Sequence, residues 1–352
     1  MNKKKKIRTS FTCPVDILPT DTIQIGHGGG GKLTHELIAN IFAPGFANTR
    51  ADTKNDQAIV PFGNSKLAFT TDSYVVNPLF FPGGNIGDLA VNGTVNDLAM
   101  GGARPFYISA AFILEEGFSM LRLRDIVASM RVACTASGVA LVTGDTKVVN
   151  KGKGDGVFIA TAGVGMVDKK IRCGVQHIRV GDKIIISGPV GNHGITILSQ
   201  REGLELDSTI TSDTAPLTAL ALPLAQKFGA HCMRDLTRGG LMTALVEIAE
   251  DANIGIEIRE EAVPVDGAVE AACEIFGLDP FAVANEGKMI AFVPPAYAKA
   301  ALAALRKHPL GKKAAIIGEV THAHKKTAIA HNALGGSRIL DMPSGEQLPR
   351  IC

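Results

Sequence analysis

Leu67-Ala68-Phe69-Thr70-Thr71-Asp72-Ser73-Tyr74 is the stretch on which the fold turns. A buried-strand pattern, Leu67 to Thr71, runs into a carboxylate at Asp72, and the same order of residue types recurs further on. A Pro/Gly-rich loop, Asn77 to Asn85, leads into a helix over Ile86–Met100. A strand over Pro105–Leu114, an amphipathic helix over Leu121–Ser137 and a short strand over Val139–Thr143 follow, the last running into Gly144-Asp145-Thr146-Lys147. Another strand covers Val157–Val164. Strands alternating with helices predict an α/β (α+β) domain with helices laid against a sheet.

The second half repeats the alternation. Strands are expected over Asp182–Ser187, Ile254–Ile258, Lys288–Val293, Ala314–Val320 and Thr327–His331. Helices are expected from Ile195, over Pro216–Phe228 with a kink near Pro223, and over Gly240–Ala252, Gly267–Phe276 and Ala296–Lys307. Polar and charged residues interrupt the apolar runs between Val167 and Val180 and mark a domain boundary. The expected organisation is a basic, disordered N-terminal tail (1–21), a glycine-rich flap with its helix (22–45), an N-terminal domain (46–167), a C-terminal domain (168–332) and a mobile tail (333–352).

At 352 residues and 46% hydrophobic content the chain has the material for about two domains with ordinary cores. A net charge of +2, with one dense basic run at Lys3–Lys6, gives no case for nucleic acid or an anionic membrane. No apolar run approaches the ~20 residues of a membrane span, and no apolar segment follows the basic run as in a signal peptide. The cysteines (Cys13, Cys134, Cys173, Cys232, Cys273, Cys352) show no C-x-x-C spacing, which argues against a disulfide framework or a zinc site and fits a reducing, cytoplasmic setting.

Gly26-His27-Gly28-Gly29-Gly30-Gly31-Lys32, between an expected strand at Thr22–Ile25 and a helix over Leu33–Phe42, has the layout of a phosphate cradle. Leu33 stands where a P-loop carries its metal-binding hydroxyl, so a flap closing over a site is at least as good a reading. Carboxylates fall at element ends: Asp56 before an apolar pair, Asp72, Asp97 beside the helical row Asp88, Asn92 and Asn96, Asp145 after a strand, and Asp235 before a helix. Asp, Asn and Gly also favour turns and caps, so each position alone carries little. Recurring together, they suit Mg²⁺, a hard cation that takes oxygen ligands, and with Lys147, Arg234 and Arg238 they suit a nucleoside triphosphate.

Thr70-Thr71-Asp72-Ser73-Tyr74, Asn96-Asp97-Leu98-Ala99-Met100-Gly101-Gly102-Ala103-Arg104-Pro105 and Gly144-Asp145-Thr146 resemble the ATP-binding signature of the aminoimidazole ribonucleotide synthetase-like (PurM-like) superfamily. Asn77-Pro78-Leu79-Phe80-Phe81-Pro82-Gly83-Gly84, Leu114-Glu115-Glu116-Gly117, Ala284-Asn285-Glu286-Gly287-Lys288 and the terminal Pro349-Arg350-Ile351-Cys352 are similar to the HypE family of hydrogenase maturation factors. That resemblance implies a two-domain PurM-like ATPase that dimerises through a mixed-sheet N-terminal domain and carries a C-terminal α/β sandwich domain. It implies that the carbamoyltransferase HypF loads Cys352, that ATP with Mg²⁺ drives dehydration to a thiocyanate, and that the cyano group passes to iron on a HypC–HypD scaffold. Mg²⁺ would be held by Asp56, Asp72, Asp97, Asp145 and Asp235, with Thr71, Asn96, Thr146 and Arg234 also in the nucleotide site. Glu286 would be the base, Lys147 a charge stabiliser, and His193 a further site residue.

Two positions depart from the family's pattern: Asn192 replaces an acidic residue, and Gly28–Gly31 is unbroken where a serine is usual. The rival readings are a superfamily phosphotransferase acting on a diffusible substrate with an inert tail, and a non-enzymatic thiol scaffold. A P-loop NTPase is disfavoured by Leu33.

Overall fold

The computed structural model of the protein describes residues 22–45, 54–203, 210–343, 348 and 350–352. Cys13, the Lys3–Lys6 run and Pro349 lie outside the described residues. The flap segment forms a 3-10 turn (Ile25–Gly28), α1 (Lys32–Leu37), a π turn (Ile38–Phe42) and α2 (Ala43–Gly45). The strand expected at Thr22–Ile25 is absent, and those residues lie exposed with no partner strand.

Five strands build the first sheet: β1 (Ala58–Phe62), β2 (Ser65–Tyr74), β5 (Ala103–Glu115), β6 (Ala140–Val149) and β7 (Val157–Val167), with a small hairpin of β3 (Phe80–Phe81) and β4 (Gly84–Asn85) between. The order is β1-β2-β7-β5-β6, antiparallel except for the β5/β6 pair. Along β2 the burial alternates, so Ala68, Thr70, Asp72 and Tyr74 face inward while Phe69, Thr71 and Ser73 face out. Helix α3 (Ile86–Met100) lies on the inner face and is buried nearly all round. Asn85 starts it: its Oδ1 accepts from Gly87 N (2.8 Å), while Asp88 Oδ1 accepts from Asn85 N (2.6 Å). Helix α4 (Met120–Ser137) packs outside α3.

The second sheet comprises β8 (Lys183–Ile186), β9 (Cys232–Asp235), β10 (Gly255–Arg259), β11 (Met289–Val293), β12 (Ala315–Thr321), β13 (Thr327–His331) and β14 (Ser337–Leu340), in the order β14-β13-β10-β12-β8-β11-β9. Its helices are α5 (Asn192–Glu202), α6 (Thr218–Lys227), α7 (Gly240–Ala252), α8 (Gly267–Phe276) and α9 (Pro295–Leu305). Both faces of β11 are buried: Ile290 and Phe292 enter one core, with α7, while Met289, Ala291 and Val293 enter another. That other core also takes Leu98 and Met100 of α3, Ala68 of β2 and Leu224 of α6, so an apolar core joins the two sheets. Among the described residues no helix is long and apolar enough to cross a membrane.

Candidate active site

Where the two sheets meet, the inward row of β2 faces the C-terminal end of α3 and the end of β9. Thr70 donates from Oγ1 to Asp97 Oδ2 (2.7 Å), and the Tyr74 hydroxyl donates to Asp72 Oδ2 (3.1 Å). Asp235 ends β9, next to Arg234, whose Nε pairs with Asp56 (2.9 Å). Burial first, then the charges of Asp72, Asp235 and Asp56, push the Asp97 carboxyl well above the usual carboxylate range. Asp235 is driven up likewise, by burial and then by Asp56. Four of the five expected aspartates therefore share one electrostatic neighbourhood. A divalent cation would relieve it.

Among the described residues no three His, Cys, Asp or Glu side chains are gathered closely enough to hold a metal ion by themselves. Mg²⁺ typically keeps several waters and takes one or two carboxylates plus substrate phosphates, so hard oxygen donors with unrelieved mutual repulsion fit a cation arriving with a nucleotide.

Glu286 is 3% exposed, its Oε1 has no hydrogen-bond partner, and burial followed by Asp235, Asp213 and Asp72 raises its pKa well above the ordinary value. Its backbone N–H donates to Asp213 Oδ1 (3.0 Å), and Lys288 pairs with Asp213 Oδ2 (2.9 Å). Burial opposes ionisation of Asp213, but the Lys288 charge and the Glu286 N–H hold its pKa below the usual value. Asp213 thus fixes the backbone of Glu286 and takes up Lys288, leaving Arg238 as the cation that acts on the Glu286 carboxyl, a smaller influence than burial and the three aspartates.

The flap closes from above. Arg238, at the start of α7, donates from Nη1 to Gly28 O (2.8 Å). Two glycines of the run, Gly30 and Gly31, permit this approach. A Cβ on Gly30 would stand 2.9 Å from Arg238 Cβ, and one on Gly31 would stand 2.5 Å from Pro343 O. Of the charges acting on the Arg238 guanidinium, that of residue Cys352 is the largest, ahead of Asp72 and Glu286, and together they raise its pKa against burial. The end of the chain, the flap and the carboxylates therefore converge on Arg238. Segment 333–352, expected to be mobile, contains β14 paired to β13, and its final residues are docked: Val75 N donates to Cys352 O (3.0 Å) and Asn77 N to Arg350 O (3.2 Å). His193 is fully buried beside them.

Several expected site residues sit elsewhere or are already engaged. The loop expected at Gly144-Asp145-Thr146-Lys147 is strand, because β6 continues to Val149. Asp72, Thr161, Ala110 and Gly144 form one cross-strand row, placing β6 three strand spacings from β2, about 14 Å. Side chains alternate, so Asp145 and Lys147 share the outer face with Thr71, opposite Asp72. Asp145 (63% exposed) pairs with Lys147 (71% exposed) at 2.7 Å, and that hydrogen bond holds its carboxyl below the usual range. Thr146 follows on the same edge strand, outside the carboxylate cluster, and Thr71 donates to Thr161 O (2.9 Å) within the sheet. Within one protomer these four do not join the site.

Arg234 is spent on Asp56, Glu247 (2.8 Å) and Lys54 O (2.6 Å), so its role is to hold the cluster's frame. Asn96 bridges the domains, accepting from Leu217 N (2.7 Å) and donating to Ala215 O (3.1 Å). Asn192 Oδ1 is buried without a partner. Tyr74 and Asp213 were not anticipated; Tyr74 could have been found from the period-2 register with Asp72.

Comparison with known proteins fits this geometry. The AIR synthase related protein N-terminal domain family matches residues 54–167, and its C-terminal domain counterpart matches residues 179–331. The class is thus a two-domain α/β protein of the AIR synthase related, PurM-like kind; thiamine monophosphate kinase from Aquifex aeolicus, at 17% identity and a TM-score of 0.62, shares the fold. Carbamoyl dehydratase HypE of Bradyrhizobium diazoefficiens is 50% identical over 94% of this chain and 96% of its own, and that of Escherichia coli 47% over 94% and 100%. A crystal structure of HypE in complex with ATP superimposes with a TM-score of 0.80 at 47% identity, covering 94% of this chain and 100% of that one. One of a HypE–HypF complex gives 0.83 at 44% identity, covering 87% and 99%. The chain belongs to the HypE family of carbamoyl dehydratases.

Proposed function

We propose that the protein performs the ATP-dependent dehydration of a carbamoyl group carried on Cys352, turning a thiocarboxamide into a thiocyanate for the cyanide ligand of [NiFe]-hydrogenase iron. The observation that supports this reading is the docked chain end: Cys352, bonded through its main chain to Val75, is the largest charge influence on Arg238, which also holds the flap and is influenced by Asp72 and Glu286. An amide oxygen is a poor leaving group. Transfer of the γ-phosphoryl group to it gives ADP and an imidate phosphate; loss of the second N–H proton and of phosphate then leaves the C≡N bond, and the oxygen departs in the phosphate. Asp56, Asp72, Asp97 and Asp235 would hold Mg²⁺, which supplies positive charge to the triphosphate.

Glu286 takes the nitrogen proton. Burial and neighbouring carboxylates make it a stronger base than a solvent-exposed glutamate, closer to what proton transfer at neutral pH requires. Arg238 is placed to stabilise negative charge at the carbamoyl oxygen.

The outer face of the first sheet leaves Phe69, Tyr107, Ile113 and Met166 exposed. Covering it against a second copy would make a homodimer and bring Asp145, Thr146 and Lys147 to the interface, where Lys147 would act on the neighbouring site. The crystal structure of a HypE–HypF complex supports HypF as the partner that loads Cys352; a HypC–HypD scaffold as acceptor and a cytoplasmic setting complete the proposal. Intact mass spectrometry tests the function. After incubation with HypF, carbamoyl phosphate and ATP, Cys352 should gain a carbamoyl mass and then lose one water; modification elsewhere, or water loss without ATP, refutes the reading.

A further inference from the structure

The docked end must also leave its site, since on the function proposed above the thiol meets a carbamoyl donor and an iron acceptor that lie outside this chain. How it is held is therefore part of the reaction. A main-chain oxygen of each of its last three residues meets a donor: Cys352 O takes Val75 N (3.0 Å), Ile351 O takes His193 Nε2 (2.8 Å), and Arg350 O takes Asn77 N (3.2 Å) and Arg201 Nη2. Arg350 returns a bond from Nε to Val75 O (3.1 Å) and pairs with Asp155 (2.6 Å). Ile351, 3% exposed, enters the core of the first domain, with Leu348 and Cys352 packed against it.

His193 is the one of these donors that lies wholly inside the protein. Because Nε2 faces a carbonyl, which can only accept, that nitrogen carries the proton; Nδ1 is then the acceptor for the Ser212 hydroxyl at 2.7 Å. Phe81 stands edge-on to the ring at 5.5 Å and fixes its plane. Burial favours the neutral ring, which is the form this bonding requires. Arg350 has φ +53°, a left-handed conformation costly for a side chain of its size, and it turns the chain so that the Ile351 carbonyl faces the imidazole. A strained residue at a chain end persists only if its neighbours are held.

We infer that His193 and Arg201 of α5 are positioning residues that latch the docked tail by the carbonyl oxygens of Ile351 and Arg350, with Ser212 setting the imidazole tautomer. These bonds use main-chain oxygens and not the Cys352 sulfur, so a group on that sulfur does not displace them. His193 and Arg201 both lie on α5, so the two latching donors come from one helix of the body rather than from the tail.

Release of Cys352 by carboxypeptidase from the full chain, followed by intact mass, reads the undocked population directly. His193→Phe, which keeps the ring but leaves the Ile351 carbonyl without a donor, should accelerate release about ten-fold. His193→Gln, which can still donate, should stay near the wild-type rate. Arg201→Met, at a part-exposed position where folding is not at risk, should also accelerate release. Wild-type release rates from both His193→Phe and Arg201→Met, or equal acceleration in His193→Phe and His193→Gln, would overturn the latch. The measurement needs neither ATP nor a carbamoyl group, so failure of the dehydration reading would leave its outcome untouched, and the converse holds.

Discussion

Replacing Glu286 with glutamine should make the protein more stable and nearly inactive. In the folded chain this carboxyl is buried and Oε1 is unpartnered; the charges of Asp235, Asp213 and Asp72 oppose its ionisation and outweigh that of Arg238, while Lys288 is engaged by Asp213. Burying a group of this kind unpaired costs about 1–3 kcal/mol, more when it is charged. Glutamine keeps the shape and removes the charge, so Glu286→Gln should gain on the order of 1–3 kcal/mol at pH 8 without ATP or Mg²⁺, a rise of several degrees in Tm. The sign follows from linkage. The folded-state pKa lies above the unfolded value of about 4.5, so the wild type's disadvantage is absent below that value and grows as pH rises through the folded pKa. Thermal unfolding at pH 4 and pH 8 should therefore show the gap opening with pH. A general base contributes about 10²–10⁴-fold, so single-turnover water loss from carbamoylated Cys352 should fall by that factor. A variant that is less stable at pH 8, or that retains its rate, would refute the assignment.

Arg238→Gln removes the positive charge beside Cys352 and the anchor of Gly28; single-turnover dehydration should fall about 10–100-fold, and unchanged turnover would exclude Arg238 from the site. Lys147→Ala and Cys352→Ala should each be inactive, yet subunits mixed one to one through unfolding and refolding should recover about a quarter of wild-type activity. Half of the dimers are then mixed and one of their two sites is complete. No recovery would place Lys147 in its own protomer's site or outside catalysis. His35 on α1 bonds to Glu247 (3.1 Å), which raises its pKa from 6.5 to about 9. Its contribution to flap closure is full below about pH 6.5 and is lost as pH passes about 9, so tryptic cleavage after Lys32 should accelerate over that range in the wild type and show no such rise in His35→Ala.

The long apolar and amphipathic runs were legible because their periods are local properties. Ile86–Met100, Gly240–Ala252, Gly267–Phe276 and Thr327–His331 form as their patterns indicate. Three short strands were not, and each is non-local in origin. Cys232–Asp235 became β9 only because β11 offers an edge to pair with; Ala58–Phe62 carries a proline, and Ser337–Leu340 looks like tail until β13 lies beside it. The same limit governs the site. Asp145 and Lys147 read as a functional loop because Gly-Asp-Thr resembles a turn, whereas pairing with β5 draws them into a strand whose alternation turns both outward. Asp56, Asp72, Asp97 and Asp235 come from four separate segments, and the sequence shows only that carboxylates recur at element ends.

What the sequence least revealed is that the parts of the site lock one another. His35 on the flap bonds to Glu247, Glu247 to Arg234, and Arg234 to Asp56, so a continuous line of charges joins the flap to the aspartates. A second line runs from Gly28 through Arg238 to Cys352. Flap closure and tail docking therefore each add a group to the same buried cluster. With the flap open, Arg238 loses its hold on Gly28; with the tail undocked, it loses the charge of Cys352. An intermediate as easily hydrolysed as an imidate phosphate needs water kept out while it exists, and a site completed by two closing segments meets that need only when both are in place. Carrying the reacting group on a docked segment then has a physical reason: a substrate that must be sealed in and later handed on is best carried where the chain can let go of it.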